Sequence, residues 1–201
     1  MVSPTTRKIV TGGVFIALAV GLGYALASFP NVELVTATVF LAGIFSGWKM
    51  GAVVGALSMF IYSTFNPYGL AAPPVLAAQV VAMALSGASG GWLYPALVRL
   101  RGRRRLALFA VAGAGLTAIF DFLTTVGDVV FLSLSMQSGE HIFQIFLARI
   151  AFGVSFFVTH IVSNAMIFAL LLPHFIRRRQ AEKVPVSSKT GTAMHAEGDL
   201  P

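Results

Sequence analysis

The sequence predicts an all-α membrane protein: a six-transmembrane-helix bundle with N- and C-termini cytoplasmic. Three observations carry this expectation. Of 201 residues, 57% are hydrophobic and only 10% charged, against about 25% charged in soluble domains. Apolar runs recur along the chain between short polar breaks. The basic residues gather at alternate breaks, as the positive-inside rule requires of a multi-pass protein. Mean hydropathy of +0.84 excludes a disordered chain. The net charge of +7, from 14 Lys and Arg against 7 Asp and Glu, is read as membrane sidedness and not as nucleic-acid binding. There is no cysteine, so disulfides, thiolate chemistry and Cys-based metal sites are excluded.

The first apolar run is Ile9–Ser28, after Arg7-Lys8, and it ends at Phe29-Pro30-Asn31. The second runs from Val32 to Ser46 and breaks at Gly47-Trp48-Lys49. The third, Met50–Phe65, leads into Asn66-Pro67-Tyr68-Gly69, where Pro fixes φ and Gly permits φ > 0. The second and third are shorter than the ~20 residues that cross a bilayer. The fourth starts near Pro73-Pro74, acceptable in a first helical turn, and stops at the arginine-rich 99–105 segment. The fifth is Leu106–Leu134, with a polar break at 135–141. The sixth is Ile142–Phe175, closed by Arg177-Arg178-Arg179. Residues 1–180 are taken as one transmembrane domain. Residues 181–201, rich in Ser, Thr, Gly and charge, are expected to be a disordered cytoplasmic tail.

Arg7, Lys8, Lys49, the arginines of 99–105 and 177–179, Lys183 and Lys189 all fall on one side of this topology. The opposite loops, 28–33, 65–74 and 135–141, hold no Lys or Arg. Both termini are accordingly cytoplasmic. The first run imitates a secretory signal ending in Ala25-Leu26-Ala27, but it exceeds the usual apolar length of ~7–15 residues and further spans follow.

Small residues form two rows on the first helix: Gly13, Ala17, Gly21 and Ala25, and beside them Ala19, Gly23 and Ala27. Such rows let helices approach closely, for packing within the bundle or for docking a partner protein. Intramembrane charges are functional candidates by default. At 1.5 Å per residue, Asp128 lies about 9 Å and Arg149 about 12 Å below the outer surface, so the two are expected to pair. Asp121 lies deeper, level with Ser155 and Thr159, and is expected to be protonated or bonded to one of them. Asn31 and Glu33 open the second helix, where capping and ligand contact are both open readings. Thr36, Asn66, Tyr68 and Gln79 bring further polar groups to the outer side. With Asp128 and Arg149 they outline a polar pocket, for which the short second and third helices leave room. His160 and Asn164 share a face of the sixth helix, read chiefly as packing. No His pair joins a carboxylate at metal-ligand spacing. Gly87-Ala88-Ser89-Gly90 with His160 imitates an intramembrane serine protease, a four-residue match that geometry must decide.

Several segments in order carry a family resemblance: Phe29-Pro30-Asn31-Val32-Glu33-Leu34-Val35-Thr36, then Gly43 to Ser58, then Phe65-Asn66-Pro67-Tyr68-Gly69, then Gln79 before Gly87-Ala88-Ser89-Gly90-Gly91. Over about residues 9–178 the chain resembles the substrate-binding S components of energy-coupling factor (ECF) transporters, the cobalamin-type branch most. The resemblance implies a non-enzymatic subunit in the cytoplasmic (inner) membrane of a bacterium or archaeon. It implies a vitamin or related micronutrient, cobalamin-like in the nearest branch, bound near the outer face. It implies docking through Gly13, Ala17, Gly21 and Ala25 onto a transmembrane coupling subunit driven by two ATPase subunits. Asn31, Glu33, Asn66, Tyr68 and Gln79 fall where such proteins gather ligand contacts. Asp128 and Arg149 rest on the depth argument alone. No cofactor and no nucleic acid is expected, and without a Walker motif the chain does not hydrolyse ATP by itself. A standalone small-solute transporter is the alternative function, with the protease behind it.

Overall fold

A computed structural model describes residues 3–66, 69–136 and 141–182. These form six helices: α1 Pro4–Ala25, α2 Val35–Ser46, α3 Trp48–Thr64, α4 Pro73–Arg99, α5 Gly102–Met136 and α6 Ile142–Glu182. Tyr68 and the segment 183–201 lie outside the described residues. Helix α6 runs two residues beyond the expected boundary at 180.

The helix ends follow from local chemistry. Ser3 caps α1, its Oγ accepting the Thr6 N–H at 3.1 Å, with Pro4 in the first turn. Gly47 closes α2 and opens α3 with φ of 89°, a left-handed conformation in which a side chain would be strained. Pro73 and Pro74 open α4, where their missing N–H groups cost nothing.

Helix α2 is the centre of the molecule. Every residue from Val35 to Ile44 is buried, as expected of a helix apolar on all sides. On one flank Phe40 packs against Phe109 of α5 and Phe168 of α6, with ring centroids 6.4 and 5.1 Å apart. On the other, Val39 and Ala42 join Ala19, Val54, Met59 and Met83 from α1, α3 and α4. The crossing of α2, α3 and α4 is built on glycine. A Cβ at Gly87 would strike the Gly51 carbonyl, and one at Gly43 or Gly51 would strike the Gly87 carbonyl. Only side chains absent at these positions allow backbones this close.

Four helices are long and apolar enough to cross a membrane, in α1, α4, α5 and α6, so the chain has the character of a multi-pass membrane protein. Helices α2 and α3 have 12 and 17 residues, about 18 and 25 Å, less than the ~30 Å hydrocarbon core. They form an antiparallel hairpin about Gly47. In contrast, α5 and α6 overshoot. Gly127 backs onto Pro74, so α5 continues about 13 Å past the first turn of α4.

The basic residues collect at one end. Arg179 donates to the Phe45 carbonyl at 3.2 Å and lies over the rings of Phe45 and Tyr94, at 5.2 and 4.4 Å. Lys49 lies over Trp48, which meets Trp92 at 5.7 Å. Arg105 donates to the Leu100 carbonyl at 2.7 Å. Tryptophans beside Lys and Arg match the composition of a membrane–water interface.

Candidate functional site

A cavity of about 250 Å³ opens at the end away from the clustered arginines. It lies where the short α2–α3 hairpin stops and its longer neighbours continue. All six helices, or the turns adjoining them, contribute walls. Gly23, Leu26 and Ala27 come from the end of α1, and residues 29–33 form the connecting loop. Met59 and Tyr62 come from α3, Gln79 and Met83 from α4, Phe120 from α5, and Phe156 and His160 from α6. The lining is mostly apolar and aromatic with a few convergent polar groups, the usual make-up of a small-molecule site.

Glu33 is the hub of those polar groups. Its Oε2 accepts the Thr36 N–H at 2.9 Å and its Oε1 accepts from Asn164 Nδ2 at 2.9 Å. His160 Nε2 lies 3.9 Å from Oε1. The opposite ring nitrogen, Nδ1, is 2.8 Å from Asp121 Oδ1. An imidazole thus stands between two carboxylates, with Asp121 and His160 both buried. Its ring is boxed edge-on by Phe120 and Phe156, at 6.1 and 5.9 Å. Burial works against the charge of Glu33, but the nearby His160 imidazole and the hydrogen bonding of Thr36 outweigh it and hold the carboxyl below its ordinary value of 4.5. On the α4 side, Ser63 donates to Gln79 Oε1 at 2.8 Å.

Asn31 does not cap α2. It sits at φ of 62°, a conformation Asn tolerates better than most residues. Its carbonyl accepts from Ser163 Oγ at 2.6 Å, which ties the loop to α6. Its Oδ1 is buried with no hydrogen-bond partner. The cap role falls to Glu33, through Thr36 N–H, although Leu34 is the residue that precedes the helix.

No family model, curated protein or solved structure matches this chain.

Of the residues singled out from the sequence, Asn31, Glu33 and Gln79 come together around the cavity. Thr36 is buried behind them, its hydroxyl 3.8 Å from Met83 Sδ. Asn66 holds a turn, its carbonyl accepting the Gly69 N–H at 3.0 Å, and it does not line the cavity. Asp128 and Arg149 pair as expected, Oδ2 to Nε at 2.8 Å, with side chains 34% and 47% exposed. The pair lies outside the cavity lining. Its level is that of the first turn of α4, because Gly127 abuts Pro74 and Val75. Asp121 bonds neither Ser155 nor Thr159. Thr159 donates to the Ser155 carbonyl and both are exposed, while the neighbouring His160 faces α5 and takes Asp121. His160, Phe120 and Phe156 are therefore site residues that sequence reasoning passed over. The signal for His160 was its position one turn before Asn164 on an otherwise apolar helix.

Ser89 donates to the Leu85 carbonyl at 2.7 Å on an exposed face. His160 is engaged by Asp121 and Glu33 instead, so the two do not form a nucleophile–base pair. Among the described residues no cluster of His, Asp and Glu is placed to hold a metal ion.

The two small-residue rows of α1 separate cleanly. Ala19 and Gly23 are buried, Gly23 against Tyr62 and Val35. Gly13, Ala17, Gly21 and Ala25 are all exposed, and a Cβ at Gly13 or Gly21 would meet nothing.

Proposed function

We propose that this chain is the substrate-binding membrane subunit of an ECF-type importer, capturing a small organic micronutrient from outside. The observation that carries the reading is the cavity: apolar walls and a polar hub, walled by every helix, at the end opposite the arginines. In this reading the six helices all lie in the membrane, with α2 and α3 as a short central hairpin and both termini in the cytoplasm of a bacterium or archaeon. The exposed row Gly13, Ala17, Gly21 and Ala25 supports a contact face for a transmembrane coupling subunit, with two ATPase subunits supplying the energy. Loading seats the solute under the 29–33 loop, and import follows when the loaded subunit reorients against its partner. A volume of about 250 Å³ favours a compact molecule over an intact corrinoid, which is several times larger.

Native mass spectrometry of the full chain, purified from its own membranes, tests the binding role. One bound small molecule of defined mass is the expected result, together with copurifying ATPase subunits. A protein that is empty, binds nothing added back, and transports a solute alone in liposomes would overturn it.

A further inference from the structure

The cavity wall carries a carboxylate, Glu33, whose hydrogen bonds come from a backbone N–H and a side-chain amide. Asp121 and Glu33 flank the single imidazole of His160, at 2.8 and 3.9 Å. The ring's hydrogen bond goes to Asp121, which does not line the cavity, and not to Glu33. None of the described residues lining the cavity is Lys or Arg. The nearest such candidate from the sequence, Arg149, is already engaged by Asp128 outside the cavity. A carboxylate in a half-buried apolar recess is costly until a cation joins it.

Acceptor capacity points the same way. A carboxylate offers about four lone-pair sites. Glu33 uses one on each oxygen for Thr36 and Asn164, and its side chain stays 21% exposed. Asn31 Oδ1, also on the cavity wall, has no partner. Unfilled acceptors beside aromatic faces suit a positively charged donor on a flat apolar body.

We infer that the site is selective for compact organic cations bearing N–H donors, amidinium- or ammonium-like, with Glu33 and Asn31 as their acceptors. This rests on the reading of the cavity as a solute-binding site. Three isosteric probes differing in charge test it: benzamidinium, benzamide and benzoate, titrated against the full chain in nanodiscs. Benzamidinium is expected to bind at least tenfold tighter than benzamide, with benzoate weakest. Glu33→Gln is expected to erase the preference, so that benzamidinium binds no tighter than benzamide. Because Glu33 also supports α2, Gln79→Lys gives a second readout: the added cation should weaken benzamidinium and favour benzoate. Benzamide or benzoate binding as tightly as benzamidinium would overturn the cation assignment and leave the binding role standing. Failure of all three, with no small molecule found in the native protein, would overturn both.

Discussion

Individual side chains here carry unequal weight, and burial decides which matter. Asp121 and His160 form a buried pair, whereas Asp128 and Arg149 are a third to a half exposed. Removing one partner of a buried pair strands the other and costs about 3–5 kcal/mol. An exposed pair is worth about 1 kcal/mol or less. Asp121→Ala is therefore expected to lower the unfolding temperature in detergent far more than Asp128→Ala, and equal losses would contradict the assignment. Glu33 sets a pH dependence. Its carboxyl is held below 4.5 in the folded protein, so its stabilising contribution is complete above that value. It is lost as pH falls through the lower folded value. Acid unfolding curves should show this loss in the native protein and lack it in Glu33→Gln. Sequence alone located Glu33 and the Asp128–Arg149 pairing, because spacing along two antiparallel helices fixes approximate depth. It misassigned the partner of Asp121 because depth does not fix face. Thr159 and His160 differ by one residue in height but by about 100° around the helix, and only packing chooses between them.

The helices divide into a rigid group and a peripheral one. In the first, α2, α3 and α4 meet at Gly43, Gly51 and Gly87 with no room for a side chain. Gly87→Leu is expected to abolish folding, seen as loss of monodisperse protein on gel filtration. Gly13→Leu, in open space, should leave the thermal transition within a degree or two. Among the described residues, helix α1 packs chiefly on this group's α2 and α3 edge, with its second small face outward. Ala17→Leu with Gly21→Leu is expected to preserve small-molecule binding and block assembly with a coupling subunit, measured by copurification and uptake. Normal uptake by the double variant would remove that face from consideration. Helix boundaries were readable in the sequence where Gly47 and the Pro73-Pro74 pair give local stop and start signals, whereas α1 begins at Pro4 behind the Ser3 cap, ahead of the expected Ile9. Which of two small-residue rows faces inward was not readable, since both have the same composition. The difference comes from Tyr62 and Val35, which reach Gly23 from other helices.

Across the whole molecule, the clustered basic residues and the cavity occupy opposite ends, and this polarity was the most legible property of the chain. It follows from where Lys and Arg fall along the sequence, with no need for tertiary detail. The absence of native cysteine makes it directly measurable. Single cysteines at Leu70 and at Arg101 should label from opposite sides of intact cells, Leu70→Cys with a membrane-impermeant maleimide and Arg101→Cys only after permeabilisation. Labelling of both from outside would refute cytoplasmic termini. The recess itself was less legible, because it depends on a length mismatch. Helices α2 and α3 stop short while α5 and α6 run on for 35 and 41 residues, and only the assembled bundle turns that difference into a space.

The loop over that space is fastened asymmetrically. One edge continues directly into the buried helix α2. The other is held to α6 by the Ser163 hydroxyl on the Asn31 carbonyl, at 2.6 Å. Beneath it, Val35, Met59 and Met83 line the recess and belong to the tightly packed group of α2, α3 and α4. Under the proposed binding role, a solute seated there would leave by lifting the tethered edge, so that residence time and selectivity would be carried by different parts of the same short segment.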